Sequence, residues 1–198
     1  MLTWIPFAVV LLYVIFKNNK IKEALIIIAL LGVVIALADQ ISSGICKPLF
    51  ARFRPTQDPE LMYQIDIVNG YRGGTYGFIS SHAANTFGVA VFLTLIFKSG
   101  SLAIILFIWA ILNAFSRIYL GVHYPGDILF GTLVGVGAGI LIYIIYRKLQ
   151  NTVLKQANFI SNQYTSSGYL ISDIQLIKTV FYLTLFYVMV RGMMITLY

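Results

Sequence analysis

Two histidines occur in 198 residues, and each sits among small polar or cationic neighbours. His123 lies in "SRIYLGVHYPGD", which joins two long apolar runs. Pro125 suits the first turn of a helix, so Asp127 falls inside that opening turn, within reach of the His123 ring. A carboxylate on one ring nitrogen fixes the tautomer and raises the nucleophilicity of the other. Ser116 and Arg117 end the preceding helix on the same face.

His82 lies in "GFISSHAANTF". Ser80 and Ser81 precede an apolar run and have the character of helix N-cap residues. A helix start offers free amides and a partial positive charge, a seat for an anion. His82, in the first turn, aims at that seat. A third cluster, "KPLFARFRP", holds Lys47, Arg52 and Arg54. The spacing of Lys47 and Arg54 predicts one helical face carrying both, and two adjacent cations call for an anion between them. Arginine suits a bidentate grip on phosphate oxygens. Arg52 reads as an interfacial side chain that snorkels to the headgroups.

Taken together, three cations (Lys47, Arg54, Arg117), an amide nest with Ser80 and Ser81, two histidines and an orienting acid suit phosphoryl transfer. The cations neutralise the phosphoryl oxygens, one histidine attacks phosphorus and the other protonates the leaving oxygen. No paired carboxylates stand ready for magnesium, so a metal-free reaction without cofactor is expected.

The elements that must position these groups are membrane spans. Hydrophobic residues make up 59% of the chain and charged ones 11%, with mean hydropathy +0.85. A soluble domain of this length cannot hide so much apolar surface. Six apolar segments, about 2–16, 23–45, 82–97, 101–121, 126–146 and 176–197, read as helices in a single integral membrane domain. The first and third fall short of the roughly 20 residues of a straight span and are expected to extend into flanking polar residues. Runs such as "ALIIIALLGVVIALA" lack the alternation of a transmembrane barrel. Gly131, Gly135 and Gly139 share one helical face, a stripe for tight packing. Residues 150–175, rich in Asn, Gln, Ser and Thr, read as a polar cytoplasmic connection. Asn113 is expected to bond a neighbouring helix, and Asp39 to be an interfacial acid.

The net charge of +7 comes without a basic, aromatic-interleaved tract, which argues against nucleic acid. Alternating spans divide the basic residues: Lys17, Lys20, Lys22, Lys98, Arg147, Lys148, Lys155 and Lys178 at one end, and Lys47, Arg52, Arg54, Arg72, Arg117 and Arg191 at the other. With the polar cluster set aside, the positive-inside rule puts the first set in the cytoplasm and the three clusters outside. Met1 to Phe16 has no basic residue before its apolar core, so a cleaved signal peptide is not expected. The single Cys46 excludes an internal disulfide.

In order and spacing, "KPLFARFRP" fits K-x6-R-P, "ISSHAANTF" is a variant of P-S-G-H, and "SRIYLGVHYPGD" fits S-R-x5-H-x3-D. This ordered triple resembles the type 2 phosphatidic acid phosphatase (PAP2) family of integral membrane lipid phosphatases, over residues 23 to about 146. The resemblance implies an all-α, six-helix transmembrane bundle. It also implies His123 as the nucleophile that forms a phosphohistidine, Asp127 as its orienting acid and His82 as general acid. Lys47, Arg54, Ser80, Ser81 and Arg117 would bind the phosphoryl oxygens. Ile79 and Ser81 stand where the family has proline and glycine; serine keeps the backbone amide but adds a Cβ beside the phosphate. Relatives act on undecaprenyl diphosphate, lipid A phosphates, phosphatidylglycerol phosphate or phosphatidate, at the outer face of the bacterial cytoplasmic membrane. The loop from Thr56 to Phe78, with Tyr63, Tyr71, Tyr76 and the Gly73–Gly74 pair, is expected to cover the headgroup. The partners expected are a lipid phosphate substrate and membrane lipids, and nothing in the sequence specifies an oligomeric state. A phosphotransferase would use the same motifs, with an acceptor in place of water. A vanadate haloperoxidase is disfavoured by the apolar composition, and an anionic-lipid transporter has no use for an acid orienting a histidine.

Overall fold

Backbone amides in a lipid-facing run have no water to bond, and the apolar runs accordingly fold as helices. The computed structural model describes residues 2–150 and 162–196. Among the described residues, six principal helices make an all-α bundle: α1 (Ile5–Asn18), α2 (Ile21–Phe50), α3 (Ser81–Phe97), α4 (Gly100–Tyr119), α5 (Pro125–Leu149) and α6 (Ile171–Thr196). Among the described residues the only β pairing is isolated bridges, Phe53 with Tyr76 and Tyr164 with Leu170. Four of the described helices, α2, α4, α5 and α6, are long and apolar enough to cross a membrane, so the chain is a multi-pass membrane protein. The first segment does extend, to Asn18, whereas the third gains only Ser81.

Helix α3 is the axis of the bundle. It is apolar on nearly every side, and Ala83, Ala84, Gly88, Ala90, Val91, Phe92, Leu93, Ile96 and Phe97 are all buried. A helix buried all round must be enclosed by others, and α2, α4 and α5 surround it. Gly131, Gly135 and Gly139 of α5 lie against Ser80, Ala84 and Gly88 of α3, and a Cβ at any of the three would press on a backbone carbonyl there. The expected glycine stripe is therefore the α3–α5 contact, which fixes the helix starts that carry His82 and Asp127. Outer faces stay apolar and exposed, as on α4 at Ile104, Ile108, Ile111 and Phe115, where lipid rather than water is the neighbour.

Helix α6 packs mainly on α1. Trp4 and Phe181 stack with centroids 5.8 Å apart, and Phe7 packs on Phe181 at 5.5 Å. At the end of the bundle away from the histidines, Lys17 Nζ donates to Asp173 Oδ1 at 2.7 Å and Asn18 Nδ2 to Asp173 Oδ2 at 2.8 Å. These bonds pin a helix that begins at Ile171, five residues before the start expected at 176. The polar connection is correspondingly shorter, and its residues 151–161, with Lys155, lie outside the described residues.

Two further expectations are corrected. Asn113 donates to the carbonyl of Trp109 in its own helix at 2.7 Å, one turn back, rather than to a neighbouring helix. Arg54 does not share a helix with Lys47. Helix α2 stops at Phe50, Ala51 takes a left-handed conformation (φ 44°), and Arg54 lies beyond it in extended backbone with ψ 154°. Pro55 accounts for that, because it excludes the residue before it from the helical region.

Candidate active site

The three clusters converge at one end of the bundle, each delivered by a different device. Lys47 comes from α2, whose stretch Gln40–Cys46 is a π-helix. The wider turn rotates Lys47 and the residues after it relative to the α-helical register. Lys47 Nζ then donates to Ser43 Oγ at 2.8 Å and across to Ser81 Oγ of α3 at 3.1 Å.

Arg54 arrives on the extended segment after α2. Its backbone N–H donates to the Thr75 carbonyl at 3.1 Å, and its Nε to the Tyr76 carbonyl at 3.2 Å. The Thr56–Phe78 loop thus closes around it. Gly73, at φ +69°, packs so tightly that a Cβ there would lie 2.9 Å from Arg54 Nη1. Thr56 is buried and ties the loop base, with Oγ1 donating to the Arg72 carbonyl at 2.8 Å and Arg72 Nη1 returning to the Thr56 carbonyl at 3.0 Å. Tyr63, Tyr71 and Tyr76 are exposed.

Ser80 is the N-cap of α3, and its Oγ accepts the Ala83 N–H at 3.4 Å. Ser81 is the first residue of the helix rather than part of the cap. Amides of a first helical turn lack acceptors within the helix, which leaves the N–H groups of Ser81 and His82 without one from α3. Ser80 N–H is bound to the Asp127 carbonyl at 3.0 Å, which locks α3 to α5. The serine hydroxyl in the glycine's usual position is the group that receives Lys47.

His123 and Asp127 stand as their spacing predicts. Tyr124 is the N-cap of α5, Pro125 its first residue, and Asp127 lies in the first turn. Asp127 Oδ2 accepts the Tyr124 N–H at 2.9 Å and faces His123 Nδ1 at 3.3 Å. A carboxylate only accepts, so Nδ1 carries the proton and Nε2 the lone pair. That Nε2 faces Arg54 Nη1 at 3.3 Å. His123 is 2% exposed and Asp127 fully buried. His82 lies within electrostatic reach of Arg117, His123, Arg54 and Lys47. Arg117 is steadied by its neighbour, with Nε and Nη2 both 3.1 Å from Ser116 Oγ.

Burial pushes the His123 imidazole below its ordinary pKa of 6.5; Arg54 and Lys47 act in the same sense, and the Asp127 hydrogen bond opposes them. Its charged form is therefore disfavoured until the pH falls below 6.5. Histidine-labelled NMR of the protein in micelles should find His123 mostly neutral at pH 6.5, in the Nδ1–H form. A mostly protonated ring at that pH would contradict the geometry.

Arg52 does not stand where its sequence context suggests. Its guanidinium reaches the Asp127 carboxylate rather than the headgroups. It lies between two rings, 5.0 Å from the Phe78 centroid and 4.8 Å from that of Tyr124. The missed signal is the extended backbone: with side chains alternating, Arg52 and Arg54 share a face.

The stretch of the chain that matches a known family takes in the three clusters. The PAP2 superfamily model matches residues 26–151, a stretch that contains every residue described at the site. A lipid A 4'-phosphatase of Bacteroides thetaiotaomicron is 42% identical over 150 residues, 74% of this chain and 65% of the relative. One from Porphyromonas gingivalis is 38% identical over 144 residues, 73% of this chain and 61% of the relative. The chain thus spans less than two thirds of the length of either curated relative. No solved structure matches the chain. From the extent of the matched segment and the motifs it carries, the chain belongs to the PAP2 superfamily.

Proposed function

We propose that the protein is a metal-independent lipid phosphatase that removes a phosphate from a lipid A-type glycolipid through a phosphohistidine on His123. The observation that carries this reading is the chain Asp127–His123–Arg54, its first two members buried, which leaves the Nε2 lone pair facing a guanidinium. An anion drawn to Arg54 arrives with its phosphorus beside the nucleophile. The relatives' shared name, lipid A 4'-phosphatase, supports a lipid A-type substrate for this chain.

The reaction would run in two steps. Arg54, Lys47, Arg117 and the first-turn amides of α3 hold the phosphoryl oxygens, and Ser81 carries the Lys47 ammonium towards them. Nε2 of His123 attacks phosphorus while the bond to the sugar oxygen breaks, and His82 delivers a proton to that oxygen. Water, deprotonated by His82, then attacks phosphorus, the P–N bond breaks and inorganic phosphate leaves. Asp127 holds the imidazolium that develops in the first step. The Thr56–Phe78 loop, closed over Arg54, meets the headgroup. The site faces the outside of the cytoplasmic membrane, as the distribution of basic residues favours.

The test is phosphate release in detergent, with EDTA and no added acceptor. Substrates are lipid A bearing a 4'-phosphate, phosphatidate, phosphatidylglycerol phosphate and undecaprenyl diphosphate. The 4'-phosphorylated glycolipid should release phosphate fastest, at a rate unchanged by chelator. Release that requires an acceptor alcohol would convert the reading to a phosphotransferase, and release abolished by EDTA would remove the metal-free mechanism.

A further inference from the structure

We propose that Arg52 is a positioning residue that locks the Asp127 carboxylate, and through it sets the tautomer and proton affinity of His123. Three independent features of the site support this. First, the two oxygens of Asp127 are divided between partners: Oδ2 takes the Tyr124 N–H at 2.9 Å and the His123 ring at 3.3 Å, whereas Oδ1 is held by Arg52. A fully buried carboxylate needs such compensation on both oxygens to remain charged and oriented. Second, the guanidinium carbon lies over the Phe78 and Tyr124 rings, 5.0 and 4.8 Å from their centroids, although the side chain is 43% exposed. Contact with two aromatic faces favours arginine over lysine. Third, its backbone is pinned, because the Arg52 carbonyl accepts the Gly77 N–H at 2.9 Å. The loop from Thr56 to Phe78 and the start of α5 therefore share one cation.

The consequence for the imidazole has a definite sign. An unscreened Asp127 carboxylate favours imidazolium. Arg52 offsets that charge and keeps His123 neutral, with the Nε2 lone pair available. The other charged or titratable groups near His123 are Arg54, Lys47 and His82, and all are retained in the Arg52 variants.

The role of Arg52 rests on the phosphatase reading, so the experiment has one arm that needs no substrate. Protein labelled at its two histidines is titrated by NMR in micelles as wild type, Arg52→Met and Arg52→Lys, with signals assigned through His82→Gln. In Arg52→Met the His123–Asp127 pair should take up its proton about one pH unit higher, and the Nδ1–H form should lose its dominance. Arg52→Lys, which keeps the charge but not the planar fork, should titrate close to wild type. In the substrate arm, kcat should fall roughly tenfold or more in Arg52→Met with KM held, as for an interaction made in the transition state, and should fall partway in Arg52→Lys. If Arg52→Met fails to fold, the kcat of Arg52→Lys decides, and an undiminished value overturns the proposal. An unchanged titration and tautomer in Arg52→Met would overturn it, as would a raised KM with kcat intact, which would make Arg52 a substrate grip. A wild type that releases no phosphate from any lipid would sink the phosphatase reading while leaving the titration to judge Arg52.

Discussion

His123→Ala should abolish phosphate release, by about 10⁴-fold or more in kcat, in a protein that still inserts and folds. The loss is large because the proposed nucleophile itself is removed. The fold should survive because the carboxylate left behind keeps two partners, the Tyr124 N–H at 2.9 Å and Arg52. Monodispersity in detergent and thermal unfolding separate the two effects. His82→Ala should do less damage, of the order of 10²–10⁴-fold, and activity on substrates with good leaving groups should be partly spared. Retained turnover in His123→Ala would remove the covalent step.

Gly135→Val should fail in a different way, losing stability and activity together. A Cβ at Gly135 collides with the Ala84 carbonyl and lies 3.0 Å from Ala84 Cα, all backbone of the central helix. Backbone cannot rotate aside, so α3 and α5 must part. Overpacking of this kind costs about 1–3 kcal/mol, and more where the obstacle is main chain. The same two helices present His82 and Asp127, and misplacement by about 1 Å can cost 10²-fold in rate. Gly137→Ala is the control in the same helix. Nothing lies within 4 Å of its Cβ, and alanine improves helix propensity by about 1 kcal/mol. Unfolding temperature and kcat measured together decide the point; if Gly135→Val matches wild type in both, the α3–α5 contact does not position the site.

Much of the architecture was legible in the residues because hydropathy and a few fixed spacings are local signals. Six apolar runs give six helices, and the places of Ser80, Pro125 and Asp127 at helix starts come from capping chemistry alone. The α3–α5 contact was visible in the spacing of Gly131, Gly135 and Gly139. What the sequence hid depends on backbone that breaks its own local rules. Ala51 takes a left-handed conformation usually left to glycine or asparagine, so "KPLFARFRP" reads as continuous helix although it turns after Phe50. Pro55 did carry a warning, since it forbids Arg54 a helical conformation. The π-helical stretch Gln40–Cys46 carries no composition signal that separates it from α-helix. The sequence hides the partner of Arg52, because Asp127 lies 75 residues away and only the fold brings the pair together. Asn113 shows the opposite case: a polar side chain in a span suggests a distant partner although its own helix carbonyl is nearer.

The mechanism stands or falls on transfer to Nε2 of His123 of a phosphoryl group held by Arg54, Lys47 and Arg117. Rapid quenching of the protein with 32P-labelled lipid A, with mass-spectrometric mapping of the labelled peptide, detects that transfer. An acid-labile, base-stable phosphoryl group should be found on His123 and be absent from His123→Ala. Label on His82 or on any other residue, or steady turnover with no protein-bound phosphate at any quench time, would refute the phosphohistidine mechanism.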